Sequence, residues 1–199
     1  MNRRNFIKIV AAAGAAGAAW KLGCPPHWLE FVTCETRILM GTVVQLTLIG
    51  GEFGAAEKAA RSCFKIMSDL EEQVLSRFQP GSQLSILNQT GELSAPHPLL
   101  LKLLRQAQEL GDLTEGRFDV TPLPVVDLYQ RFEQEGRGIP PKHELEKALT
   151  AVNRKELKIQ NSRIWLGKKN MSLTLAGIAK GAVVGQGLES LIRAGYPDL

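Results

Sequence analysis

Residues 35–49 read Glu-Thr-Arg-Ile-Leu-Met-Gly-Thr-Val-Val-Gln-Leu-Thr-Leu-Ile. The stretch is rich in β-branched and aliphatic side chains. From Thr42 onward, Val44, Leu46 and Leu48 share one face at period two, while Gln45 and Thr47 take the other. This predicts two strand segments meeting around Met40-Gly41-Thr42, the second ended by Gly50-Gly51. Beyond those glycines the period changes. From Gly54 to about Leu75, Ala56, Ala59, Ala60, Cys63, Met67, Leu70 and Val74 recur at helical spacing, which predicts an amphipathic helix. Two strands followed by a helix, without regular β-α-β alternation, point to the α+β class.

The remaining elements obey the same logic. Ser76 to Asn88 reads as a loop broken by Pro80-Gly81, with Ser82 placed to cap a short helical turn. A second helix is expected over Pro98 to Leu110, with Leu100, Leu103, Leu104 and Ala107 on one side. Residues 114–130 carry Gly116, Pro122 and Pro124, so the reading there is irregular and extended. A third helix is expected over 142–150, entered through Pro140-Pro141. Three short strands are expected at Leu157–Gln160, Arg163–Leu166 and Ser172–Leu175. A last helix is expected from about Ile178 to Ala194.

The chain has 199 residues, enough for one domain with a sizeable core. Its beginning reads as an export signal. Arg3-Arg4-Asn5-Phe6-Ile7-Lys8 resembles the twin-arginine motif and precedes a short Ala/Gly-rich apolar run. That run is too short and too small-sided to be a membrane span. An ordinary secretory leader with paired arginines is the competing reading. The expected division is an export signal over 1–23 and a domain over 24–199. Leu22-Gly23-Cys24 is a weak lipobox, making Cys24 a candidate lipid anchor or a plain free cysteine. Residues 1–23 hold Arg3, Arg4, Lys8 and Lys21 and no acid, so the formal net charge of +4 falls to zero without them. The basic character belongs to the leader and does not argue for nucleic-acid binding. Three cysteines give no disulfide framework, and Cys63, on the apolar helix face, reads as a core residue. His27, His97 and His143 have no metal-ligand spacing.

Four segments read as site rather than scaffold. A glycine at 41 interrupts two apolar strands beside Met40; close approach to the backbone and a β-bulge are the two readings. Phe78, after a helix, is placed either to stack on a planar ligand or to plug the helix end. Gly116-Arg117-Phe118-Asp119-Val120-Thr121 sets a carboxylate and a hydroxyl beside an aromatic in a proline-terminated loop; an Asx-type turn competes with function here. In Leu173-Thr-Leu-Ala-Gly-Ile-Ala-Lys-Gly181 a strand is expected to turn into a helix at Gly177. Free amides at that helix start and Lys180 in its first turn would suit an anion. A solvated surface lysine is the bland alternative.

Together and in this order, MGT (41 at its centre), SRFQPGSQLSILN, GRFDVTPLPVVDLY and LTLAGIAKG resemble the FAD:protein FMN transferases of the ApbE family, over roughly residues 35–195. The resemblance implies an ApbE-like, T-fold-like architecture: a mixed sheet with packed amphipathic helices. It implies an exported, magnesium-dependent enzyme that cleaves FAD and attaches FMN through a phosphoester to a Thr or Ser of a partner flavoprotein. That target would be exported or membrane-associated, and the enzyme periplasmic or on the outer face of the cytoplasmic membrane. By the same resemblance Met40 and Phe78 contact the flavin, and Arg117, Phe118 and Asp119 line the nucleotide. Lys180 contacts FAD, and the Gly177 carbonyl is a Mg2+ ligand. Position 174 is usually Asp in the family, so Thr174 holds that cofactor-binding place without charge. Ala176, Ala182, Gly185 and Leu123 also depart from the family's usual Gly, Tyr, Asp and Gly. No catalytic side chain is assigned, because the attacking hydroxyl belongs to the partner. Family members continue well past position 199 and carry further magnesium ligands there. The expectation is therefore the N-terminal portion of such a domain, with impaired transfer. An FAD-binding or FAD-hydrolysing protein, or an inactive fragment needing a second half, is the alternative.

Overall fold

The computed structural model describes residues 32–50 and 53–197. The export signal over 1–23 and Cys24 lie outside the described residues. The chain clusters into two compact units, one formed by residues up to Asp69 together with those from Val183 onward, the other by Leu70–Ala182.

The first unit opens with the expected hairpin. Strands β1 (Val32–Leu39) and β2 (Thr42–Ile49) pair antiparallel in unbroken register, from Val32 opposite Ile49 to Leu39 opposite Thr42. Met40 (φ 52°) and Gly41 (φ 67°) form the two-residue turn. Positive φ at both positions matches the turn to the twist of the strands. Glycine adopts it freely; a methionine held there costs roughly 1 kcal/mol. Leu39, Leu48 and Thr33 lie on the covered face, while Ile38 and Val43 face solvent as a cross-strand pair.

Helix α1 (Phe53–Leu70) buries Ala56, Ala59, Ala60, Cys63, Phe64 and Met67. Arg37 from β1 lies over the Phe64 ring, 5.6 Å from its centre. The last helix, α6 (Ala179–Arg193), buries Val183 and Leu191. Its Gly187 meets α1 closely. A Cβ there would stand 2.8 Å from Met67 Sδ and 3.0 Å from Cys63 Sγ. Cys63 is the core residue its helical position implied: burial pushes its thiol pKa up, against a smaller lowering by a hydrogen bond with Ser190. Cys34 and Cys63 are both free thiols.

The second unit begins where α1 widens into a π-helical turn, Glu71–Leu75, closed by Ser76 N donating to Glu71 O at 2.8 Å. The extra residue in that turn buries both Val74 and Leu75. Helix α2 (Gln83–Thr90) starts where Ser82 accepts from Ser85 N at 3.1 Å, the anticipated cap, and ends at left-handed Gly91. Strand β3 (Glu92–Ser94) and helix α3 (Pro98–Leu113) come after it, then α4 (Leu123–Gln134) and α5 (Lys142–Leu149). A 3-10 turn at Arg154–Glu156 leads to β4 (Leu157–Gln160) and β5 (Arg163–Leu166). The sheet order is β3-β5-β4, all antiparallel. Leu84, Leu87, Leu100, Leu104, Leu157, Ile164 and Leu173 are fully buried in this unit.

The α+β class holds, and among the described residues parallel pairing is confined to an isolated bridge, Pro122 with Ser172. Two local expectations are corrected. The stretch after Phe118 does not stay extended: α4 starts at Leu123, with Pro122 as its N-cap and Pro124 in its first turn. Prolines that forbid a helix interior suit its first turn, where their missing N–H has no partner to lose. Ser172–Leu175 is not a strand of the sheet; the third strand is β3. Its backbone is satisfied instead by the 120–122 segment and by the side chain of Asn88.

Candidate functional site

Two of the four segments singled out in the sequence meet in the second unit. Thr174 N donates to Val120 O at 2.8 Å, and Pro122 bridges Ser172, so residues 120–122 and 172–174 run side by side. The Phe118 ring rests against Gly177; a Cβ at 177 would lie 3.4 Å from Phe118 Cε2. The glycine lets the aromatic sit against the backbone at the point where α6 is about to begin.

The segment 172–175 is held from its other side by a side chain. Asn88, near the end of α2, donates from Nδ2 to Leu173 O at 2.9 Å and accepts from Leu173 N at Oδ1 at 2.7 Å. A carboxamide carries donor and acceptor in the geometry of a peptide group. It therefore occupies the place a neighbouring strand would take. The turn into α6 also differs from expectation. Residues 176–178 form a turn, with Ile178 N and Ala179 N both donating to Leu175 O at 3.0 and 2.8 Å. Thr174 Oγ1 accepts from Ala176 N at 3.4 Å. Some of the amides expected to be free at the helix start are thus spent. Those of Gly177, Lys180 and Gly181 find no acceptor among the described residues, nor does the Gly177 carbonyl find a donor. Lys180 is exposed and has no ion-pair partner among the described residues.

The loop before α4 is built from the end of α3. Gly116 N donates to Gly111 O at 2.7 Å, and Phe118 N donates to Thr114 Oγ1 at 2.9 Å. Gly111 is an interior helix glycine with a reason: a Cβ there would stand 3.1 Å from the Phe118 carbonyl oxygen. Asp119 Oδ1 accepts from Thr121 N at 2.8 Å, the Asx turn that competed with a functional reading. That bond uses one carboxylate oxygen only. Arg117 is exposed.

Thr121 is fully buried, and its hydroxyl has no hydrogen-bond partner among the described residues. An unpaired buried hydroxyl costs about 1–3 kcal/mol. Thr121→Val, which keeps the shape and removes the hydroxyl, is expected to raise stability by about 1 kcal/mol. The midpoint of urea unfolding measures it; a lower midpoint would show that the hydroxyl is satisfied in solution.

Phe78 comes after the π turn with 77% of its surface exposed. It does not plug the helix end. Its neighbour Arg77 lays its guanidinium 4.2 Å from the ring centre. Arg77 is in turn bonded to Asp127 Oδ1 at 2.8 Å and Gln130 Oε1 at 3.0 Å, both on α4. Met40 belongs to the hairpin of the other unit. Among the described residues, no three His, Cys, Asp or Glu side chains converge to hold a metal ion, and no helix is long and apolar enough to cross a membrane.

Sequence reading alone missed Asn88, Arg77 and Gly111. Two carried a signal. Asparagine inside a helix is locally unfavourable, and so is an interior glycine; each marks a contact beyond the helix. Arg77 carried none.

Comparison with known proteins gives consistent matches. The ApbE family model covers residues 40–199. The twin-arginine translocation pathway signal-sequence model covers residues 1–20, which points to export across a membrane. The chain is similar to an FAD:protein FMN transferase of Chlamydia pneumoniae, at 29% identity, covering 72% of this chain and 47% of that protein. It is similar to another of the same name from Haemophilus influenzae, at 27% identity, covering 82% and 52%. Among solved structures, the flavin transferase ApbE from Vibrio cholerae superimposes with a TM-score of 0.72 at 23% identity, covering 82% of this chain and 54% of that one. The chain thus spans about half the length of the relatives it matches.

Proposed function

The chain belongs to the ApbE family, and from that premise we propose that it takes part in FMN transfer from FAD to a hydroxyl of an exported flavoprotein. The observation that carries this reading is the junction of the 117–121 loop with the 174–180 segment, sealed by Phe118 on Gly177. That junction sets Lys180 and the unbonded amides of the α6 start on the same segment as the Gly177 carbonyl. A cation and backbone donors together are suited to a pyrophosphate.

In this reading the exposed Phe78 ring stacks on the flavin. Arg117, Phe118 and Asp119 line the nucleotide, and Thr174 and Lys180 complete the cradle. When bound, Mg2+ neutralises phosphoryl charge. Its fit to the described residues is incomplete. The Gly177 carbonyl is a free oxygen, but a magnesium shell needs about six oxygens, and no acidic cluster stands ready among the described residues. No step is derived through the metal. What the residues here do is orient: stack the ring, pair the phosphates and hold the backbone of the loop. The attacking hydroxyl comes from the partner protein. The working location is outside the cytoplasmic membrane, with residues 1–23 as the leader and Cys24 as either an acylation site or a plain free cysteine.

Incubation with FAD, Mg2+ and a target flavoprotein domain tests the proposal. In-gel flavin fluorescence of the target is the expected result; none above background removes autonomous transfer. A narrower reading, FAD binding without transfer, is favoured by the exposed Phe78 and by Lys180, which has no ion-pair partner among the described residues. For either reading, Lys180→Met is expected to raise the Kd for FAD about tenfold. Titration of flavin fluorescence measures this, and an unchanged Kd would remove Lys180 from the site.

A further inference from the structure

We infer that Arg77 is a positioning residue that fixes the Phe78 ring as a rigid platform for a planar ligand, a role that rests on the flavin-stacking reading of Phe78. Arg77 lies over one face of the ring at 4.2 Å, while the phenylalanine as a whole stays largely exposed. The guanidinium is anchored twice on α4, to Asp127 at 2.8 Å and to Gln130 at 3.0 Å. Arg77 itself is well covered, with 18% of its side chain exposed, against 50% for Asp127.

The combination is unusual for a surface aromatic. An exposed phenylalanine ordinarily keeps its rotamers, because water offers it no reason to choose one. Here a planar cation covers one face, and two acceptors from a separate helix hold the cation. Only arginine has the flat fork that stacks on a ring and spans two acceptors at once. The contact is a cation–π pair, and the ring-to-helix link is the part that limits motion. Freezing a ring before a ligand arrives removes an ordering cost from binding. One covered face and one open face suit a single flat partner, sandwiched so that Arg77, Phe78 and the ligand form three layers. Asp127 lies near the start of α4, immediately after the 117–122 loop. The anchor therefore ties the platform to the helix that carries the other end of the site.

Two measurements test the assignment. First, FAD affinity is determined for wild type, Arg77→Met, Phe78→Ala and the double variant, with melting temperatures recorded for each. Arg77→Met is expected to weaken FAD binding five- to tenfold where Phe78 is present and to have no effect where it is absent. Equal losses in both backgrounds would mean that Arg77 acts on folding or on FAD directly, and would overturn the inference. Arg77→Lys, which keeps the charge but not the fork, is expected to behave like Arg77→Met; full rescue by lysine would also overturn it. Second, 4-fluorophenylalanine is placed at position 78 and its 19F resonance tracked without ligand. A broad, shifted line that becomes narrow and random-coil-like in Arg77→Met supports the clamp. An identical line in both overturns it, whether or not FAD binds. If wild type fails to bind FAD, the flavin reading of the site falls, and the 19F result still decides the clamp.

Discussion

Asn88→Leu is expected to destabilise the fold by about 3–5 kcal/mol and, on the proposed function, to abolish FAD binding. The reason is a pair of hydrogen bonds at 2.9 and 2.7 Å through which one carboxamide satisfies both backbone groups of Leu173. Leu173 is fully buried. Removing the carboxamide leaves a buried N–H and a buried C=O without partners, each costing about 1–3 kcal/mol. Leucine shares the branching of asparagine but brings neither donor nor acceptor. Asn88→Asp separates the two bonds: it keeps an acceptor for Leu173 N and sets a carboxylate against Leu173 O. It should lose at least the donor-side contribution while keeping the other. Urea unfolding at constant slope measures the loss, and flavin titration the effect on the adjoining 174–180 segment. A midpoint within about 1 kcal/mol of wild type would mean that Leu173 finds water or another partner.

Gly187→Leu is the second large effect, expected at about 3 kcal/mol of destabilisation. The position is a helix interior, where Gly→Ala alone would gain up to about 1 kcal/mol. The facing atoms decide the sign. A Cβ meets Met67 Sδ at 2.8 Å and Cys63 Sγ at 3.0 Å. Methionine is flexible and yields to a methyl group, so Gly187→Ala should fall within about 1 kcal/mol of wild type as crowding offsets propensity. Leucine adds three further carbons against the fully buried Val183 and Leu191 of the same helix and the cysteine thiol of α1. Thermal and urea unfolding of the two variants give the comparison; a leucine variant as stable as wild type would show that the two helices separate freely.

Sequence patterns revealed most of the scaffold. The hairpin was legible from alternation around a glycine, and the long helices from apolar spacing, because each of these elements obeys a local period. Three features escaped for a shared reason. Pro122 and Pro124 read as helix breakers, yet a proline's meaning depends on whether a helix ends or begins there. The π turn at Glu71–Leu75 changes the burial period in mid-helix, which a 3.6-residue count does not anticipate. Ser172–Leu175 alternates like a strand, but its partners are Asn88 and Val120 rather than the sheet, and nothing local to 172–175 names them. The site was visible as four segments in a particular order, and the structure joins two of them, Phe118 with Gly177. Arg77 was unreadable because its partners lie 50 and 53 positions away on α4.

The Asn88 bridge also bears on the order in which the molecule assembles. It joins positions 85 residues apart, so closing it carries the entropy of a long loop before any bond repays it. The hairpin, the α1 to α2 region and the β4–β5 pair close over far shorter spans and can settle earlier. The segment leading to Lys180 is then among the last parts to find its place. A nascent chain would hold most of its helices while the 174–180 segment still searched, and any ligand that grips that segment would act chiefly on the final step of folding.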